Sequence, residues 1–268
     1  MVSCKDKPIG VFDSGIGGLT VLKEIITMIP GENTIYVGDT ARLPYGNKSA
    51  ETVIRYALEM TEFLIAKGAK LLVIACNTAS AVSLPSLKAR HAYPIVGVIE
   101  PGARRAAQVT RTGRVGVIGT DRTIQSGAYP RAIQRIDPGI QVFTQPCPLF
   151  VPLVEEGLGR DDIALLAAQR YLRRLRGKRI DALVLGCTHY PLLKRVIRKA
   201  IGDKIVLVDS ARETAREVLT VLGNTGMLRE NGKESTHQFY VTDYPERFQT
   251  VGQRFLGEKL GKVTRIKP

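Results

Sequence analysis

The same order of strand-like and helix-like segments occurs twice in this chain at an almost constant offset, and few folds satisfy that. Ile9-Gly10-Val11-Phe12 is matched by Val115-Gly116-Val117-Ile118, Ile35-Tyr36-Val37 by Ile140-Gln141-Val142, Cys76 by Cys187, and Ile95 to Glu100 by Ile205 to Ser210. The offsets lie between 105 and 111 residues, too long for a stacked short-repeat array, so they describe a duplicated unit. Within each unit, apolar runs alternate with segments of helical period, the pattern of a parallel sheet covered on both faces. The predicted fold is α/β, with two pseudo-symmetric parallel-sheet domains facing each other across a cleft. With 268 residues and 44% apolar composition, the chain can bury enough surface for two modest domains.

Local signals fill in this outline. Leu19, Leu22, Ile25, Ile26 and Ile29 form one helical stripe that stops at Pro30, and Thr34 to Val37 reads as the next strand. Ser49 is placed to cap a helix buried along Val53, Tyr56, Ala57, Met60, Phe63 and Leu64. Near the end, Ala215, Val218, Leu219 and Leu222 mark a helix, followed by a polar loop containing Gly and Asn. A strand over Gln238 to Thr242, a helix through Phe248, Val251 and Phe255, and an edge strand over Val263 to Ile266 complete the chain. This tail is assigned to the first half, giving one domain of residues 1–98 and 209–268 and an inserted second domain of residues 99–208.

The duplication gives meaning to two cysteines. Cys76 and Cys187 each end an apolar run, with Asn77-Thr78 after the first and Thr188-His189 after the second. Taken singly, each reads as a small buried apolar residue. Taken together, they occupy matched carboxyl ends of parallel strands, where open α/β sheets place ligand sites, and a helix start there favours a thiolate. Pro191 suits the first turn of the helix carrying Leu192, Leu193, Val196, Ile197 and Ala200. Two thiols facing one carbon from opposite sides can remove a proton from one face and return it to the other. That is the chemistry of a racemase.

Neighbouring residues add donors and carboxylates. Asp13-Ser14-Gly15-Ile16-Gly17-Gly18 is a Gly-rich strand-to-helix turn, in which Asp13 or Ser14 is also a ready helix cap. Thr20 stands where a dinucleotide motif needs glycine, and no Gly-Lys-Ser/Thr is present. Asn77, Thr78, Thr188 and Ser14 suit a carboxylate and an ammonium group, and Tyr45-Gly46 offers a ring and backbone. His189 either relays a proton or holds its turn. Asp13 and Glu155 can each tune one thiol, although surface exposure is the default for Glu155 and Glu156. No paired Cys or His has zinc-ligand spacing, and an acyl-transfer role for Cys187 with His189 is disfavoured because a strand-to-helix turn should splay them apart. Cys4, in a mobile terminus, and Cys147, between Pro146 and Pro148, lack a helix start.

Composition limits the partners. A formal charge of +14 makes nucleic acid or another polyanion possible. However, Arg170, Arg173, Arg174, Arg176, Lys178 and Arg179, like Lys194, Arg195, Arg198 and Lys199, fit solvated helix faces, and no nucleic-acid motif accompanies them. A polyanion is therefore not favoured. No apolar run approaches the roughly 20 residues of a membrane span, and Met1 to Pro8 lacks a signal-peptide core. Four widely spaced cysteines are a sparse disulfide framework, so reduced thiols and a cytoplasmic location are expected.

The motifs, taken in order, resemble those of the glutamate racemases in the cofactor-independent aspartate/glutamate racemase superfamily. The resemblance runs end to end. It is carried by residues 12–19 (FDSGIGGL), 37–46 (VGDTARLPYG), 75–80 (ACNTAS), 152–157 (PLVEEG) and 186–191 (GCTHYP), with no departure at the motif positions. The resemblance implies that Cys76 takes the proton from D-glutamate and Cys187 from L-glutamate. It also implies that Asp13 assists Cys76 and that His189 with Glu155 assists Cys187, with Glu156 as the alternative carboxylate. Substrate contacts are implied for Asp13, Ser14, Tyr45, Gly46, Asn77, Thr78, Thr188 and His189. The family supplies D-glutamate for peptidoglycan, usually acts as a homodimer, and uses neither pyridoxal phosphate nor metal. Within the superfamily, an aspartate racemase is the nearest alternative.

Overall fold

The computed structural model describes residues 3–229 and 234–267. The first half runs β1 (Ile9–Asp13), α1 (Leu19–Met28), β2 (Thr34–Gly38), α2 (Ala50–Ala66), β3 (Leu71–Ile74), α3 (Asn77–Arg90), β4 (Ile95–Gly97) and α4 (Ile99–Val109). The second half continues with β5 (Arg114–Gly119), α5 (Asp121–Gln125), α6 (Ala128–Ile136), β6 (Gln141–Pro146), α7 (Phe150–Glu155) and α8 (Asp162–Arg176). It ends with β7 (Ala182–Gly186), α9 (Lys194–Ile201) and β8 (Val206–Asp209). Then follow α10 (Ser210–Asn224), β9 (His237–Val241), α11 (Pro245–Leu256) and β10 (Val263–Arg265).

These strands form two separate sheets, parallel throughout. The first has the order β10-β9-β2-β1-β3-β4 and the second β6-β5-β7-β8. Remove β9 and β10, and the orders correspond strand for strand: β2-β1-β3-β4 against β6-β5-β7-β8. The four pairs of segments matched in the sequence are therefore topologically equivalent. The tail joins the first sheet, where β9 pairs with β2 and β10 forms the edge. Part of the polar loop before β9, residues 230–233, lies outside the described residues, as do Met1 and Val2.

Buried strands are apolar on both faces because helices cover both sides of each sheet. One apolar cluster lies between the first sheet and α2 and α3, and includes Phe12, Val37, Val53, Met60 and Ile74. The other is continuous from the opposite face of that sheet, through α1 and α10, into the second sheet, and includes Leu22, Val218, Val117 and Leu183. The two sheets thus share a core. Ser49 caps α2 as anticipated, accepting from Thr52 N. The cationic side chains of α8 and α9 are exposed, while Ala164, Leu172, Val196 and Ile197 face inward. Cys4 begins an exposed 3-10 turn, Cys4–Asp6. Among the described residues, no helix is long and apolar enough to cross a membrane.

Candidate active site

Both singled-out cysteines lie just past the carboxyl ends of inner strands, Cys76 after β3 and Cys187 after β7. They are only 5% and 6% exposed, so neither thiol lies open to bulk solvent. Although they border different apolar clusters, they are near enough for charge on Cys187 to act on Cys76.

Around Cys76 the local geometry follows the sequence reading. Cys76 is the N-cap of α3, its sulfur accepting from Ala79 N at 3.4 Å. The thiol donates to Ser14 Oγ at 3.4 Å. The expected lowering of its pKa does not occur. Burial, with the charge of Asp13 next, pushes it up to about 12, and the contacts with Ser14 and Ala79 only reduce that rise. Asp13, at the end of β1, is fully buried, and burial raises its carboxyl above the ordinary value despite the Gly15 N–H bonded to Oδ2 at 2.9 Å. Neither Asp13 nor Ser14 caps α1. Gly18 occupies the cap position, and its lack of a side chain leaves room for Asp13, whose Cβ and Cγ would lie 2.4 and 2.9 Å from a Cβ placed there.

Cys187 is handled differently. The segment after β7 is a 3-10 turn, Tyr190–Leu193, with Pro191 inside it, and α9 begins only at Lys194. Tyr190 N donates to Cys187 O at 3.1 Å, closing a single turn over these residues. Tight closure brings the His189 ring back toward the sulfur, so the two side chains do not splay apart: Nδ1 lies 3.8 Å from Cys187 Sγ. On its other side, His189 Nε2 donates to Glu155 Oε1 at 3.0 Å. Burial disfavours the imidazolium, but the hydrogen bonds and charges of Cys187 and Glu155 outweigh it and raise the pKa to about 10. Glu155 is lowered because its bond and attraction to His189 overcome its own burial. Glu156 points outward to Arg247 at 3.2 Å, which places Glu155, rather than its neighbour, on the histidine.

The His189–Glu155 pair makes a pH-dependent contribution to stability. His189 rises from 6.5 to about 10, so its contribution is complete below 6.5 and is lost as pH climbs through 10. Glu155 falls below 4.5, so its contribution holds above that value and is lost in more acid solution. Urea unfolding of Glu155→Gln is therefore expected to show a deficit of about 2 kcal/mol near pH 6. The deficit should shrink steadily toward pH 10. A pH-independent deficit would show that the pair is not ionised.

The remaining anticipated residues join the same site. Thr78 Oγ1 lies 2.9 Å from Thr120 Oγ1 and 3.2 Å from Thr123 Oγ1, three hydroxyls contributed by both halves. Gly46 abuts Thr120, and Asn77 Oδ1 accepts from Tyr129 at 2.7 Å. Tyr45 contacts the site electrostatically through Cys76, but its ring is buried beside Phe12 and Tyr56 and its hydroxyl donates to Asp39. The turn therefore presents backbone rather than an open ring. Thr188 O accepts from Thr20 Oγ1 at 2.9 Å, joining the Cys187 turn to α1. Two buried polar atoms here have no protein partner, Asp13 Oδ1 and Asn77 Nδ2, an acceptor and a donor suited to a zwitterionic ligand. Thr120, Thr123 and Tyr129 were not anticipated from sequence. The duplication held an unused signal for Thr120, which follows β5 as the Asp13 turn follows β1. No group of three or more potential metal ligands occurs among the described residues.

Two matched parallel sheets, each with a buried thiol at the carboxyl end of an inner strand, define a two-domain α/β protein of the racemase class. Residues 9–218 match the family model for Asp/Glu/Hydantoin racemase. The chain belongs to that family. It is 59% identical over 260 residues to glutamate racemase of Geobacter metallireducens, covering 97% of this chain and 96% of the relative. It superposes with a TM-score of 0.95 on glutamate racemase isoform RacE1 from Bacillus anthracis, at 41% identity and 98% coverage of both chains. Glutamate racemase from Francisella tularensis, solved in complex with D-glutamate, gives a TM-score of 0.92 at 39% identity, again covering 98% of both.

Proposed function

We propose that this chain interconverts L- and D-glutamate by proton transfer at the α-carbon between Cys76 and Cys187, without pyridoxal phosphate or metal. The observation that carries the reading is the placement of two buried thiols at equivalent strand ends with unlike surroundings. Cys76, its pKa raised to about 12, is suited to hold a proton. Cys187 has an imidazolium at hydrogen-bond range, suited to accompany negative sulfur. Starting from L-glutamate, the Cys187 thiolate takes the α-proton, the electron pair spreads into the α-carboxylate, and the Cys76 thiol protonates the opposite face. D-Glutamate leaves with Cys187 as thiol and Cys76 as thiolate, and the reverse reaction uses the opposite protonation state. Asp13 assists Cys76, and His189 with Glu155 assists Cys187. Substrate is held by Asp13, Ser14, Tyr45, Gly46, Asn77, Thr78, Thr188 and His189.

No electron-sink cofactor takes part in this proposal, so the site itself must stabilise the carbanion. Hydrogen bonds to the carboxylate strengthen as charge moves onto it, and exclusion of water makes them more effective. The choice of glutamate is supported by the names of the full-length relatives. The proposal extends to a cytoplasmic homodimer that supplies D-glutamate for peptidoglycan, with residues 1–98 and 209–268 as one domain and 99–208 as the other.

The test is racemisation in deuterated water. Each glutamate enantiomer is expected to yield the other with deuterium at the α-carbon, and aspartate to turn over far more slowly. Inversion without deuterium incorporation would exclude thiol-mediated exchange, and faster turnover of aspartate would change the substrate.

A further inference from the structure

Tyr129 lies near the start of α6 and is buried, with its ring in space that two glycines leave open. A Cβ on Gly186 would come within 3.0 Å of Tyr129 Cε2, and one on Gly102 within 3.3 Å of Cε1. Gly186 immediately precedes Cys187. At its other end, the hydroxyl donates to Asn77 Oδ1 at 2.7 Å, and Asn77 immediately follows Cys76. One side chain thus touches both thiol-bearing turns.

The contact with Asn77 has a directional consequence. Burial pushes the phenol's pKa well above its ordinary value, so the O–H remains a proton donor throughout the working pH range. With that proton directed at Asn77 Oδ1, the NH2 group of the amide faces the other way. That group, Asn77 Nδ2, is buried and bonded to no protein atom. Folded chains seldom leave such a donor unsatisfied unless a ligand or water supplies the acceptor.

We propose that Tyr129 is a positioning residue that fixes the orientation of the Asn77 amide, so that its NH2 group meets a carboxylate oxygen of the amino-acid substrate, while its ring sets the spacing of the Cys76 and Cys187 turns. The role rests on the racemase reading. It also has a consequence in the unliganded protein, where the amide orientation persists without substrate.

Tyr129→Phe tests the hydroxyl while keeping the ring between the two glycines. KM for both glutamate enantiomers should rise about tenfold, the effect of losing roughly one oriented hydrogen bond, with kcat within about threefold and the melting temperature nearly unchanged. In an Asn77→Ala background, Tyr129→Phe should alter kcat/KM less than about twofold, because it acts through the missing amide. Side-chain amide NMR of the unliganded protein supplies a readout independent of turnover: the Asn77 NH2 signals should shift in Tyr129→Phe while strand amides stay in place. Unaltered Asn77 signals, a KM equal to wild type, or effects of the two substitutions that multiply would each overturn the proposal. Failure of the wild-type chain to racemise glutamate would instead remove the substrate reading, leaving the NMR result to decide the amide orientation.

Discussion

Alanine at either Cys76 or Cys187 should lower racemisation of both glutamate enantiomers by about 10²–10⁴-fold, the range for loss of a positioned acid or base. The loss should be symmetric in direction, because the sulfur that takes a proton from one enantiomer gives it back to the other. Neither substitution should unfold the chain. Each removes one sulfur from a site that also holds polar groups, and the continuous apolar cluster joining the sheets is otherwise preserved. Initial rates with each enantiomer, together with circular dichroism and thermal melting, provide the measurement. Wild-type turnover in either variant would show that its thiol is not a required proton carrier. A loss confined to one direction at equilibrium-compatible concentrations would contradict a shared reversible step.

Gly17→Ala should be nearly as damaging, although Gly17 carries no functional group. A Cβ there would fall 2.3 Å from Thr188 Oγ1 and 2.5 Å from His189 Nδ1 and Cε1, well inside contact distance. Thr188 could rotate away, but the histidine has little freedom. Its ring is held by Cys187 and Glu155 and meets the edge of Phe255, with centroids 5.2 Å apart at 82°. The added methyl therefore pushes the Gly-rich turn and the Cys187 turn apart by something on the order of 1 Å, a displacement that commonly costs about 10²-fold in rate. Gly223→Ala is the control, since a Cβ at that position on α10 meets nothing within 4 Å. The expected result is a kcat loss at position 17 with cooperative unfolding retained, and no loss at position 223. Equal activity in the two variants would mean that the turns tolerate separation.

What could be read from the sequence was mostly local or periodic. Alternating strand and helix patterns, and their recurrence, were sufficient for two matched parallel sheets, while the strand orders β2-β1-β3-β4 and β6-β5-β7-β8 came from the structure. Ser49 was legible as a cap, and Cys76 as a residue at a helix start, because both are decided by a few adjacent residues. The properties of the thiols were not. A helix start argues for a lower Cys76 pKa, but burial and Asp13 act through space and prevail. The sequence around Cys187 likewise resembles that around Cys76, yet Tyr190 and Pro191 form a 3-10 turn before α9 and fold His189 onto the sulfur. Tyr129 gave no signal as a lone aromatic within an amphipathic helix, and its partners, Asn77 and Gly186, lie far away in the chain.

Near-complete enclosure of Cys76 and Cys187 also bears on how the protein survives its own chemistry. A thiolate is the form of cysteine most readily attacked by peroxides and alkylating agents, and oxidation beyond the sulfenic stage is irreversible for most proteins. Here the sulfur that solvent meets first is Cys4, far in sequence from Cys76 and Cys187, while the pair that the proposed mechanism ionises is sheltered. On the proposed function, any opening that admits glutamate is also an interval of vulnerability, and an occupied site shields its sulfurs from damage.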